Sequence, residues 1–156
     1  MITATHFHAM IIHFPIALLI AGLFSELLGL ITKKDFFKNA AVFLLILGAL
    51  GAIVAFISGN MAGEGIEEGP LKQALVRHEL SATITLWVAI ITALLRVLTY
   101  YFKYNRSWVN WAFIILFTAL AGSVATTGYY GGQLVYKHAA GIELTLPDFS
   151  DFTDED

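Results

Sequence analysis

The sequence predicts an all-α integral membrane protein, a four-helix up-down bundle, on three observations. Hydrophobic residues make up 58% of the 156-residue chain and charged residues only 13%, with a mean hydropathy of +0.74, too apolar for a soluble surface built from these residues. The apolar residues gather into four segments, 9–31, 39–57, 81–102 and 108–127. Each is near the length at which a helix, rising about 1.5 Å per residue, crosses a hydrocarbon core roughly 30 Å thick. Third, the bases sort to one side: Lys33, Lys34 and Lys38 fill the first connection, Lys103 and Arg106 the third.

Residues 1–145 therefore read as one transmembrane domain in a lipid bilayer. Cytoplasmic connections carry the excess of Lys and Arg, so both termini and the second connection are expected on the outer, periplasmic side of a bacterial cytoplasmic membrane. Residues 146–156 read as a solvated acidic tail, because Asp148, Asp151, Asp154, Glu155 and Asp156 crowd into it. Cysteine is absent, which excludes disulfides, thiolate metal sites and a cysteine nucleophile. With a net charge of -3 and no basic patch, the chain shows no nucleic-acid footprint.

The first segment opens on His6-Phe-His8-Ala-Met-Ile-Ile-His13-Phe-Pro15. No Lys or Arg precedes it, so a retained helix is expected rather than a cleaved signal peptide. Pro15 cannot donate to the carbonyl of Ile11, and a kink is expected there. In the second connection, Gly-Asn-Met-Ala-Gly-Glu-Gly from Gly59 reads as turn, and Gly69-Pro70 as a helix start. From Pro70 the spacing Leu71, Ala74, Leu75, His78, Ala82 follows one helical face, so the third helix begins outside the membrane. Gly128 and Gly132, like Gly59 and Gly63, have the small-xxx-small spacing that admits a close helix or a flat ligand. Trp108, Trp111, Tyr129, Tyr130 and Tyr136 fit interfacial anchors.

All five histidines, His6, His8, His13, His78 and His138, fall on the outer side of this topology. Lys33 lies 25 residues after His8 and Lys103 lies 25 after His78, which sets these two histidines at one depth and His13 about 7 Å deeper. Glu26 and Arg96 are the charged residues well inside the apolar segments, each seven residues before its lysine, and are expected to pair. Each also follows a histidine by 18 residues, five full turns, so His8 shares a face with Glu26 and His78 with Arg96. The latter face reads His78, Ser81, Ala82, Thr85, Ala89, Thr92, Arg96 and is expected to look into the bundle, since charge facing lipid is costly.

Several imidazoles at one end of a bundle point to ligation or proton handling. The favoured reading is b-type haem held between helices, with His78, His13, His8 and His138 as the candidate ligands; zinc or copper bound by the same histidines is the competing metal reading. A haem would make the chain an electron-transfer protein or a subunit of a larger respiratory complex, exchanging electrons with quinol. Interfacial histidines satisfied by water and carbonyls, in a non-catalytic accessory or assembly subunit, stand as the alternative. His138 joins the others only if the chain after Gly132 folds back, because a straight helix from Arg106 would put it about 48 Å along.

Three motifs stand together: His13-Phe-Pro-Ile-Ala-Leu, the lone His78, and Gly131-Gly-Gln-Leu-Val-Tyr-Lys-His138-Ala-Ala-Gly-Ile. In these the chain resembles a family of small bacterial four-helix membrane proteins classified as a domain of unknown function. The resemblance implies the four-helix fold and the bacterial cytoplasmic membrane, draws attention to His8, His13, His78 and His138, and implies no activity. Ala139 stands where the family usually has glycine, and His6 lies outside its pattern.

Overall fold

The computed structural model describes residues 2–104 and 106–142. Among them are five helices: α1 Ala4–Ile11, α2 His13–Thr32, α3 Asp35–Ala62, α4 Gly69–Tyr101 and α5 Ser107–His138. Helices α1 and α2 form one span, because Ile12 between them keeps right-handed helical dihedrals (φ -60°, ψ -27°). Only the hydrogen-bond ladder is interrupted there, one turn before Pro15, whose missing N–H leaves the Ile11 carbonyl without its partner. Four stretches are thus long and apolar enough to cross a membrane, and the all-α bundle is as expected from the sequence. The acidic tail assigned to residues 146–156 lies outside the described residues.

The bundle closes as a ring. Helix α2 packs along α3, α3 along α4, α4 along α5 and α5 back on α2, with α1 against α3. No contact joins the backbones of α2 and α4, so these parallel helices stand on a diagonal. The shared core comprises Leu19, Leu45, Ala49, Ala89, Ala93, Phe117, Leu120 and Val124. Packing is close enough that a Cβ on Gly48 would lie 2.6 Å from Leu19 Cδ2, so glycine sets the spacing of α2 and α3. Outside, Phe24, Phe43, Leu50, Ile84, Trp87 and Ile115 are exposed, an apolar exterior suited to lipid. Trp108 and Trp111 are exposed at the lysine end, Tyr129 and Tyr136 at the histidine end.

Two elements run longer than the sequence predicts. Helix α3 continues to Ala62, so the residues from Gly59 are helical and the turn begins only at Gly63; Gly65 and Gly69 take left-handed φ values of 86° and 88°. Helix α5 does not stop at Thr127 or fold back after Gly132. It runs unbroken to His138 and ends on Ala139, left-handed at φ 52°, with Ala139 N–H bonded to Val135 O and Ala140 N–H to Leu134 O. The glycines stay helical because α4 extends beside them, burying Leu75 and Leu134.

Candidate functional site

The end of the bundle where α1 and α4 begin holds a pair of imidazoles. His8 sits on α1 against α3, with its ring over Gly59: a Cβ there would fall 2.9 Å from His8 Cε1. His78 sits on α4 against α5, with its ring over Gly131, where a Cβ would fall 3.2 Å from His78 Cε1. Each imidazole thus lies on the bare backbone of a glycine, more tightly at Gly59 than at Gly131. The two rings are near enough to interact electrostatically.

Their tautomers follow from their partners. His78 Nδ1 is 3.2 Å from the Thr127 carbonyl, an acceptor only, so Nδ1–H donates and Nε2 keeps its lone pair in the neutral ring. Ser58 donates its hydroxyl to the Ala55 carbonyl at 2.9 Å, so its oxygen accepts from His8 Nδ1–H at 3.0 Å. His8 Nε2 is left with its lone pair as well. A histidine whose Nδ1–H is anchored to a carbonyl or hydroxyl and whose Nε2 is free is prepared to bind a metal or take a proton.

Thr127 ties this end of α4 to α5. Its carbonyl holds His78, and its hydroxyl bonds Ser81 at 2.9 Å and Thr85 at 2.8 Å. The stripe expected to face inward does so: Ser81, Thr85, Ala89 and Thr92 are buried. At its far end Arg96 Nη2 lies 2.8 Å from both oxygens of Glu26, across the α2–α4 diagonal, with its guanidinium 4.6 Å from the centroid of the Phe113 ring. The expected pair is formed.

The other histidines are elsewhere. His13 is exposed at the start of α2, His6 is exposed near the N-terminus, and His138 is half-buried two turns beyond Gly131, in a cleft with Arg77 and Tyr130. Four histidines do not converge: among the described residues no group of three or more His, Cys, Asp or Glu is placed to hold a metal ion. Sequence reasoning missed Ser58 and Thr127. Ser58 stands directly before Gly59, and its hydroxyl together with that bare backbone seats His8, whereas His78 is held by the Thr127 carbonyl and lies over Gly131, four residues further along α5.

A family model described as "Predicted membrane protein (DUF2231)" matches residues 4–144. The chain belongs to DUF2231. Every helix and histidine described above lies within the matched part of this DUF2231 chain. Comparison with curated proteins found no match, and neither did comparison with solved structures.

Proposed function

We propose that this DUF2231 protein is a membrane electron-transfer protein that binds b-type haem at the histidine end, with His8 and His78 as the axial ligands. The observation that carries the reading is the matched state of the two rings: both are held by Nδ1–H, and among the described residues no hydrogen bond engages either Nε2. A porphyrin brings four nitrogens of its own and asks two of the protein, whereas a bare zinc or copper site needs three or four protein donors. Two inward imidazoles suit the former. A haem bound there would carry one electron at a time between a donor and an acceptor; His8 and His78 would orient it, Ser58 and Thr127 would hold the rings, and the apolar helices would keep water away.

The orientation proposed with it puts the histidine end on the periplasmic side of a bacterial cytoplasmic membrane, since Lys33, Lys34, Lys38, Lys103 and Arg106 stand at the other end. Quinol from the bilayer and a larger respiratory complex are the partners this position suits.

The test is an optical spectrum of protein purified from haem-sufficient cells. Reduced-minus-oxidised Soret and α bands are expected. They should be lost in His78→Ala, shifted or lost in His8→Ala, and unchanged in His13→Ala, because His13 faces outward. A protein without bands that also fails to take up added haemin would overturn the proposal and leave the accessory-subunit reading.

A further inference from the structure

The outer faces of α4 and α5 form a second polar feature beside the imidazole pair. A cleft of about 160 Å³ is lined by Pro70, Gln73, Ala74, Arg77, Tyr130, Gln133 and His138. Pro70, Gln73, Ala74 and Arg77 recur at helical spacing along one face of α4, and Tyr130, Gln133 and His138 along the facing side of α5. Among the described residues none of the Arg77, Gln73, Gln133 or His138 side chains has a hydrogen bond or an ion pair, nor does the Tyr130 hydroxyl. Among the described residues no carboxylate lines the cleft.

We propose that this cleft binds a phosphate group, carried by a lipid headgroup or free in solution. The chemistry is one-sided: a guanidinium fork, two amides, a phenol and an imidazole supply donors for several anionic oxygens, and arginine in particular recognises phosphate through paired N–H bonds. The depth agrees. Arg77 lies 26 residues before Lys103 on a nearly continuous helix, about 39 Å, so if Lys103 marks one headgroup layer Arg77 reaches the other. Basic pockets between membrane helices bind lipid headgroups on the cytoplasmic side, and the same donor chemistry stands at this end of the bundle. The inference does not rest on haem: it concerns different side chains and a different ligand.

The experiment has two arms on the full chain. In one, native mass spectrometry of protein released from phosphatidylcholine nanodiscs, with or without phosphatidylglycerol, counts retained phosphatidylglycerol. In the other, inorganic phosphate is titrated into detergent-solubilised protein by calorimetry. Binding in at least one arm is expected, and Arg77→Gln should weaken it at least tenfold, Arg77→Lys less, because lysine keeps the charge and loses the fork. Gln133→Ala should weaken it severalfold and serves if Arg77→Gln does not fold. Lys72→Gln, a base on α4 outside the cleft, should change nothing. Binding only in the nanodisc arm identifies a lipid phosphate, and binding only in calorimetry a soluble one. Binding in neither arm, or an equal loss in Lys72→Gln and Arg77→Gln, would overturn the site.

Discussion

Replacing Arg96 with leucine should damage the protein far more than replacing Arg96 and Glu26 together. Both oxygens of Glu26 are held by Arg96 Nη2 at 2.8 Å, with side-chain exposures of 13% for Arg96 and 8% for Glu26. The pair is therefore desolvated, and water does not screen it as it screens a surface salt bridge. Arg96→Leu removes two charge-assisted hydrogen bonds and the contact with Phe113, and strands a buried carboxylate; loss of one partner from a buried pair costs about 3–5 kcal/mol. In Glu26→Leu/Arg96→Leu nothing is stranded, and substitution of a buried pair by apolar side chains is often neutral or stabilising. The single variant should therefore fall below the double by about 3 kcal/mol, more than a hundredfold in the unfolded population. Reversible unfolding in mixed micelles, followed by circular dichroism, measures the difference. Equal loss in the single and double variants would refute the reasoning, because the pair would then contribute through the shape of its side chains alone.

Three further outcomes are expected. Thr127→Val keeps the carbonyl that holds His78 but deprives the buried Ser81 and Thr85 hydroxyls of their partner, and should cost about 1–3 kcal/mol in the same unfolding assay. Gly59→Ala places a methyl 2.9 Å from His8 Cε1 and should drive the ring from Ser58, whereas Gly131→Ala, at 3.2 Å from His78 Cε1, should perturb its histidine less; imidazole nitrogen chemical shifts report both. Ala139→Gly relieves a left-handed φ of 52° at the end of α5 and should stabilise the protein by about 1 kcal/mol, read as a higher midpoint in the same assay.

What the sequence made legible was whatever depends on position along a helix. Counting from the lysines placed Glu26 and Arg96 at one depth, and the 18-residue step placed His78 and Arg96 on one face; the structure has both. Direction around the helix was counted for those residues and not for His13. Five residues separate His8 from His13, about 140° of rotation at 3.6 residues per turn, so a helix that turns His8 inward turns His13 away. Helix ends were poorly legible for another reason. Glycine is a weak helix former, costing about 1 kcal/mol relative to alanine, so the stretch from Gly59 read as turn, and the glycines at 128–132 left a fold-back after Gly132 open. The burial of Leu75 and Leu134, with the imidazoles seated on Gly59 and Gly131, overrides that local preference. Neither contact can be foreseen without knowing which helices are neighbours.

The distribution of polar groups along the interior separates chemistry from anchorage. From the histidine end the line runs His78, Ser81, Thr85, with Thr127 joining all three, and stops. The next polar side chain on the stripe is Thr92, seven residues or about 10 Å further in. Between them lies Ala89, at the level of a core that includes the completely buried Leu19, Leu45 and Leu120. Thr92 is itself fully buried, and among the described residues its hydroxyl has no partner, so it does not carry the hydroxyl line on to Arg96. Among the described residues the hydrogen-bonded line of side chains on this stripe thus ends at Thr85. The Glu26–Arg96 pair acts as a latch across the α2–α4 diagonal, and the reactive nitrogens of His8 and His78 are confined to one end. Ligation by these imidazoles, as proposed above, would therefore act at the end of the bundle away from the Glu26–Arg96 latch.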